Sequence, residues 1–377
     1  MLKSFLFLIL SLTFTVHSFA QSIITTAATN LNRSIANELT IYEDPTGNST
    51  IEDILKGRYN YVGREIKNSR ENLDFTTSSW HSNFIIDNSK GKEIQLFLEV
   101  ARPITNVVNL YEYHNSGALL TSKKSGDALP FNDKIYTHQK SLIPIYLKPG
   151  EQKNFWLELK SDGEIISLPF ILWDKTTFEK SNQKEQLFLG FTYGIFAFVF
   201  LIYFVFYVLL KDRTFLYYIF YVLASGLLQF SLDGFTHQFI FTSGGYMTQH
   251  FVLLIAGVTV LFLLLFAKNY LKLPQRSHKL NQLFKYSIIL ISLITIASLI
   301  PGRTYVLAYP LVNVFSLLSV LLILISNLYL RKKKHTIDPF FTLGFVILIG
   351  SAILFILGNF SIINSPALTE NVLKAGT

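Results

Sequence analysis

Four side chains in the first half of the chain are candidates for binding a small polar ligand: Trp80, Arg102, Tyr111 and Tyr113. Sugar rings stack on flat aromatic faces, and a guanidinium pairs with polar substituents. Tyr111 and Tyr113 lie two residues apart, so a strand would present both on one face. A structural role competes, because Trp80 precedes Phe84 at the even spacing of a core strand and Arg102 also fits a solvated surface.

Trp156 and Trp173 are two further aromatic candidates. Trp156 adjoins Phe155 in an alternating segment, so one of these two side chains must face a core. The Tyr111 and Tyr113 pair is therefore the preferred aromatic site.

No residue pattern predicts catalysis or metal binding. His81, His114 and His138 lack metal-ligand spacing, and we predict that they are surface residues. The chain contains no Cys, which excludes disulfides, Cys-ligated zinc and cysteine nucleophiles. The loops between the later apolar stretches are too short to hold a catalytic domain. We therefore predict that the chain is not an enzyme and binds no cofactor or metal.

The aromatic candidates fall in a region with the pattern of short β-strands. Apolar and polar residues alternate in 94–100 and 154–159, and turn signals such as 148–151 separate the segments. Only 49–57 has the pattern of a short helix. Many short strands with tight turns predict an all-β jelly-roll sandwich over residues 39–176.

The segments around this β domain differ from it in composition. Lys3 and the apolar run 5–14 predict a signal peptide over residues 1–20. Residues 21–38 are polar without periodicity, so we predict a flexible lead-in. A linker is predicted at 177–186, before the first long apolar stretch.

Six apolar stretches occupy most of the second half of the chain. Each is close to the roughly 20 residues with which a helix crosses a bilayer. The predicted spans are 187–210, 214–232, 249–271, 283–300, 304–329 and 339–358. An all-α transmembrane bundle is therefore predicted to follow the β domain.

Lys and Arg are concentrated in every second gap between these stretches. Residues 187–377 carry 13 Lys and Arg against 4 Asp and Glu, and the densest basic run is 331–334. Basic loops stay in the cytoplasm, which places the β domain outside the cell membrane. The net charge of +8 therefore reflects topology, and no nucleic-acid partner is predicted.

Few strongly polar side chains interrupt the apolar stretches. We predict that Asp233, Asn313 and Asn327 serve helix packing or signal transmission. Ion-coupled transport needs buried carboxylates or His relays, and the pattern contains none. A transporter or channel subunit with an outer ligand-binding domain remains the alternative function.

Several segments occur in an order known from one receptor family. In the β domain they are 42–44 before the short helix, Trp80 opening a strand, 125–131 and 147–151; in the membrane part they are 190–207, 211–218, 229–234 and 266–271. Over residues 40–377 the chain resembles the bacterial seven-transmembrane receptors with diverse intracellular signalling modules, including their second type of extracellular sensing domain.

The resemblance implies a signalling receptor. A jelly-roll outer domain, similar to carbohydrate-binding modules, would sense a small extracellular ligand, with carbohydrate as the candidate class. The helices would relay the signal to a cytoplasmic module or partner, such as a histidine kinase or a diguanylate cyclase. The implied location is the bacterial cytoplasmic (inner) membrane, with the N-terminal domain periplasmic or extracellular. The resemblance leaves open whether the receptor forms a homodimer.

The last residues carry a further expectation. With the N-terminus outside, six spans return the chain to the outside, whereas the family has seven. We interpret 359–377 as an outer loop and the start of a missing seventh helix. The parent reading frame is expected to continue with ~20 apolar residues and a cytoplasmic signalling domain.

Overall fold

The computed structural model describes residues 22–26, 31–35, 38–39, 41–55, 72–89, 91–100, 102–114, 118–167 and 170–359. A β domain comes first and a bundle of helices follows it. Five helices in this part of the chain are long and apolar enough to cross a membrane. The predicted two-part architecture is therefore confirmed.

The β domain is built mainly from two sheets. Its elements are β1 (Ser22–Thr25), β2 (Asn32–Ser34), β3 (Ile41–Asp44), α1 (Ile51–Leu55), β4 (Asn72–Phe75), β5 (Ser79–Asp87), β6 (Ile94–Val100), β7 (Val107–Tyr113), β8 (Leu119–Ser125), a short 3-10 helix (Phe131–Asp133), β9 (Ser141–Leu147), β10 (Gln152–Lys160), β11 (Ile165–Ser167) and β12 (Phe170–Asp174). Sheet A has the order β1-β5-β10-β7-β8 with β3 also on β5, and sheet B has the order β2-β12-β6-β9. Strands β4 and β11 form a small separate pair.

Alternation along the strands explains the core of the domain. In β10 the side chains of Phe155, Leu157 and Leu159 join one buried cluster that also takes Leu98 from β6 and Ile145 from β9. Because successive strand residues point to opposite faces, the residues between them lie on the other face of sheet A. The core thus lies between the two sheets, and the jelly-roll connectivity stays a prediction.

The predicted flexible lead-in at 21–38 is wrong where the structure describes it. β1 pairs in parallel with β5, and β2 pairs antiparallel with β12. Ile24 and Ile35 are fully buried in the core cluster. Single apolar residues that fill the edge of a sandwich leave too short a pattern for periodicity to detect.

The helices follow in quick succession. They are α2 (Lys175–Leu210), α3 (Arg213–Leu232), α4 (Phe235–Phe239), α5 (Tyr246–Tyr270), α6 (Leu273–Arg276), α7 (His278–Ala297), α8 (Arg303–Lys332) and α9 (Pro339–Asn359). The five that meet the length and composition of a span are α2, α3, α5, α7 and α8. Each covers most of a predicted span, and α9 coincides with the sixth.

The predicted linker at 177–186 forms the first turns of α2. Asp174, at the end of β12, caps this helix by accepting a hydrogen bond from the backbone N–H of Thr177 (2.9 Å). The chain therefore passes from sheet B into the first span without a break in hydrogen-bonded structure. β12 therefore leads directly into a helix that continues to Leu210.

The bundle has a packed centre and a lipid-facing edge. Helices α3, α5, α7, α8 and α9 contribute to one buried cluster around Leu264, Phe284 and Ile323. Helix α2 lies against α3 and exposes large apolar side chains such as Phe191 and Phe198. An exposed apolar face of this kind fits a helix that contacts lipid.

Candidate ligand site and the contacts between the outer domain and the helices

A polar and aromatic patch covers the outer face of sheet A. Asn109 and Tyr111 of β7 both donate to Oε2 of Glu158 on β10, at 2.9 and 2.8 Å. Asn83 and Asn154 lie on the same face: in the strand register Asn83 is opposite Trp156, which is itself opposite Tyr111, and Asn154 is opposite Tyr113. We name five of these residues the sheet A patch: Asn83, Asn109, Tyr111, Asn154 and Glu158. Amides, a carboxylate and a half-buried aromatic ring are the groups that bind a hydroxylated ring.

The two predicted tyrosines differ in exposure. Tyr113 is 5% exposed and packs with Trp156 against Ile54 of α1. Its hydroxyl is buried without a hydrogen bond among the described residues. Tyr111 is only half buried, so it is the aromatic ring of the pair that a ligand can reach.

Trp80, which the sequence analysis considered for the same site, lies on the opposite face of its sheet. It is 3% exposed and belongs to the sandwich core with Phe84 and Ile86. The even spacing along β5 was the correct signal, and Trp80 cannot contact a ligand bound to the sheet A patch.

Two of the three histidines predicted to lie on the surface are buried. His81 is 1% exposed and pairs in register with Glu158, and His138 is 9% exposed; His114 is exposed as predicted. Burial lowers the pKa of His81 to about 4, although Glu158 and Asp44 oppose the change. His81 is therefore neutral at neutral pH. Within the described residues no group of His, Asp and Glu has the geometry to hold a metal.

Arg102 lies at the base of the β domain and faces the helices. Its Nη2 donates to Oε1 of Glu164 (2.6 Å), and both side chains are largely buried. Arg102 is thus neither solvated nor near the sheet A patch. The sequence could not place it, because its partner lies 62 residues away.

A cluster of carboxyls surrounds this ion pair. Asn106 donates to Asp127 (3.0 Å) and accepts from the backbone N–H of Asp162 (2.8 Å). Burial and the nearby Glu164 raise the pKa of Asp127 to about 7. Burial, Glu164 and Asp127 raise the pKa of Asp162 to about 8. Burial also raises the pKa of Glu164, although Arg102 opposes this.

The cluster should make the stability of the outer domain depend on pH. A carboxyl with a raised pKa binds more protons in the folded state, so stability falls as the pH rises towards that pKa. Between pH 6.5 and 8, above the ordinary pKa of His, we expect the thermal midpoint to fall. Fluorescence reports on this domain alone because all 3 Trp of the chain lie in it. Asp162→Asn should flatten the slope, whereas the exposed-site control Asp133→Asn should not; a slope unchanged by Asp162→Asn would contradict the assignment.

The base of the β domain is docked on the outer ends of the helices. The hydroxyl of Tyr309 in α8 donates to Oδ1 of Asp162 (3.4 Å), and Phe75 packs on the Tyr309 ring. His237 of α4 donates from Nε2 to the carbonyl oxygen of Leu129 (2.8 Å). These contacts connect the β4–β11 side of the domain to α8, and the segment after β8 to α4.

A second connection joins sheet B to the start of α2. Lys140 lies between Glu99 of β6 and Glu185 of α2, with N–O distances of 3.0 and 2.7 Å. The indole of Trp173 donates to the other oxygen of Glu99 (2.6 Å). Burial alone would lower the pKa of Lys140, but the two carboxylates raise it above its usual value. The lysine is therefore held charged between the domain and the helix.

Apolar and hydrogen-bonded contacts reinforce this connection. Phe178 of α2 is 5% exposed and packs with Phe97 and Trp173 on the outer face of sheet B. One turn later, Asn182 pairs with Nε2 of His138 (3.1 Å). From the sequence we predicted only a linker at 177–186 and missed these partners. Phe97 and Glu99 lie on one face of β6. A strand face that carries both an aromatic ring and a charge was the signal in the sequence from which a contact here could have been predicted.

The three polar residues predicted within the bundle occupy different positions. Asp233, just past α3, accepts a hydrogen bond from the hydroxyl of Tyr193 in α2. Asn313 donates to a backbone carbonyl one turn earlier in α8 (2.9 Å) and lines an internal cavity. Asn327 is fully buried and donates to the hydroxyl of Thr342 (2.9 Å), which joins α8 to α9.

Comparison with known families gives two matches that follow the order of the fold. Residues 36–174 match the model described as 7TMR-DISM extracellular 2, and residues 185–377 match the model described as 7TM diverse intracellular signalling. The first match ends at the last residue of β12, and the second begins in the early turns of α2. The curated proteins contain no significant match.

Proposed function

The chain belongs to the 7TM diverse intracellular signalling family, and we propose that its outer β domain senses a small extracellular ligand and relays this signal through the helices to a cytoplasmic module. The membership identifies a transmembrane signalling receptor with an extracellular domain. The ligand, the relay and the output partner are our proposal. The membrane is proposed to be the inner membrane of a bacterium.

The observation that supports the relay most strongly is the double attachment of the β domain. Lys140, Glu99 and Glu185 fix sheet B to α2, and the contact between Asp162 and Tyr309 fixes the base of the domain to α8. A ligand shifts a receptor only through its different affinity for two states. Two attachments on different helices allow a small rotation of the domain to change the relative position of α2 and α8.

The proposed ligand is a carbohydrate or a similarly hydroxylated small molecule bound at the sheet A patch. Tyr111 offers a half-buried ring, and Asn83, Asn109 and Asn154 offer amide donors and acceptors on the same face of sheet A. Glu158 fixes the orientation of Tyr111 and Asn109 through two hydrogen bonds. A site held by fixed polar groups loses less conformational entropy when the ligand binds.

Thermal unfolding of the protein in lipid nanodiscs tests the ligand site. Trp fluorescence follows the β domain while mono- and oligosaccharides are screened, and a true ligand raises the midpoint. The stabilisation should reach about 2.7 kcal/mol at a concentration one hundred times the Kd. Tyr111→Ala should abolish this shift, because it removes the stacking ring.

The matched control is Tyr146→Ala, which removes a tyrosine that is 57% exposed on sheet B. This variant should keep the full response. Equal responses of the two variants, or no saccharide that stabilises the wild type, would refute the proposed site. Solute flux into vesicles that contain only this chain would instead support the transporter or channel alternative.

A further inference from the structure

A cavity lies between the base of the β domain and the helix bundle. This cavity has a volume of about 180 Å³. Phe75, Arg102, Glu164 and Ile165 of the β domain form its outer wall, and side chains of α3, α5 and α8 form the rest. The cavity shares no residue with the sheet A patch.

The cavity is elongated along the bundle. Each of three helices lines it along a segment of twelve residues, and these segments are 221–232 of α3, 252–263 of α5 and 309–320 of α8. At a rise of 1.5 Å per residue this corresponds to a depth of about 16 Å, roughly half of the hydrocarbon core. The outer ends of all three segments lie next to the β domain.

The wall changes in polarity along this depth. Apolar side chains such as Val260, Leu263 and Val320 predominate in the deep part, which Tyr221 also lines. Nearer the domain, Gln229 is 2% exposed, and its amide makes no hydrogen bond within the described part of the chain. The side-chain oxygen of Asn313 likewise accepts none there, since its only bond is through Nδ2. Unpaired amide groups at membrane depth are costly unless a bound molecule satisfies them.

The charge at the mouth restricts the class of ligand. Arg102 and Glu164 are 2.6 Å apart and neutralise each other. An anionic head would meet Glu164, and a cationic head would meet Arg102, so either would have to break a largely buried ion pair. A hydroxyl or carbonyl head can instead bond to Gln229 and Asn313 while an apolar tail fills the deep part.

We propose that this cavity is a binding site for an uncharged amphipathic molecule, with its polar head at Gln229 and Asn313 and its apolar tail directed towards the middle of the bilayer. The occupant contacts the β domain and three helices at once. It therefore stabilises the docked arrangement of the receptor by mass action, independently of a ligand at the sheet A patch.

Photolabelling of the protein in nanodiscs tests this site directly. A dodecanol that carries a photoreactive diazirine in its chain is the probe, and mass spectrometry maps the labelled peptides. We expect labels in 252–263 and 309–320. Ala256→Trp fills the cavity and should remove these labels, whereas Ala197→Trp makes the same change on an exposed side of α2 and should retain them.

Two further comparisons test the head group. Gln229→Leu preserves the size of the side chain and removes its amide, so labelling should fall about fivefold, as expected for one lost hydrogen bond. This variant keeps the test valid if Ala256→Trp does not fold. Photoreactive dodecanoate and dodecylamine carry a charged head on the same chain. They should label the wild-type cavity no more strongly than the dodecanol probe labels the Gln229→Leu variant.

Labelling confined to lipid-facing α2, or equal labelling by the three probes, would overturn the proposal. Mass spectrometry of the protein extracted from its membrane distinguishes two sources of the ligand. Co-purified diacylglycerol identifies a neutral bilayer lipid as the occupant. Dodecanol labelling without any co-purified lipid identifies a diffusible molecule of the same chemistry.

Discussion

Replacement of Lys140 with Met is expected to lower the free energy of unfolding of the β domain by about 3–5 kcal/mol. Glu99 is 3% exposed at its side chain, and Lys140 is its cationic partner at 3.0 Å. Removal of the ammonium leaves a buried carboxylate whose remaining donor, among the residues that the structure describes, is the Trp173 indole. It also breaks the 2.7 Å contact with Glu185, which holds α2 against sheet B.

Urea unfolding in nanodiscs, followed by Trp fluorescence, measures this loss. The control is Lys180→Met, which removes an exposed lysine from α2. The double variant Lys140→Met with Glu99→Gln should recover part of the stability, because it no longer buries an unpaired charge. If Lys140→Met and Lys180→Met unfold at the same urea concentration, Lys140 does not connect the domain to the helix.

Gly244→Ala should weaken the docking of the β domain on the helices by about 2–4 kcal/mol, from a steric clash and a strained backbone. Gly244 lies between α4 and α5 with a φ of +68°. A Cβ there would lie 2.4 Å from the carbonyl oxygen of Leu129. The backbone would have to shift, and the neighbouring bond from His237 to the same oxygen would be disturbed.

The adjacent Gly245 provides a matched control. Its φ is +78°, but nothing lies within 4 Å of a Cβ at that position. Gly245→Ala therefore carries backbone strain of about 1–3 kcal/mol without the clash, so it should leave the docking of the domain unchanged. Limited proteolysis of the loops at the domain base measures docking in both variants. Equal protection would show that the contact with Leu129 does not hold the domain.

The sequence was sufficient for the elements with long, regular patterns. Spans such as 214–232 and 339–358 differ from the helices by a single residue at one end, because twenty consecutive apolar residues leave little ambiguity. The alternation around Phe155 also predicted that either Phe155 or Trp156 faces the core, and Phe155 does. Trp80 was assigned to both a core and a site, and the core interpretation, which rested on periodicity, was correct.

The contacts between elements could not be read from the chain. Tyr309 and Asp162 are separated by 147 residues, and Lys140 and Glu185 by 45. Each of these residues looks like an ordinary polar surface residue within its own segment. Only the docking of the domain on the helices buries them, and this raises the pKa of Asp162. The same limit left Arg102 as either a ligand contact or a solvated side chain and led us to predict surface positions for His81 and His138.

The central claim is that the outer domain controls the cytoplasmic ends of the helices through its attachment to α2. Because the natural chain has no Cys, spin labels at Arg213→Cys and Lys333→Cys report one distance between two cytoplasmic ends without background. Under conditions in which Trp fluorescence shows a folded domain, Lys140→Met should shift this distance distribution, and Lys180→Met should leave it as in the wild type. Superimposable distributions in all three proteins would contradict the claim.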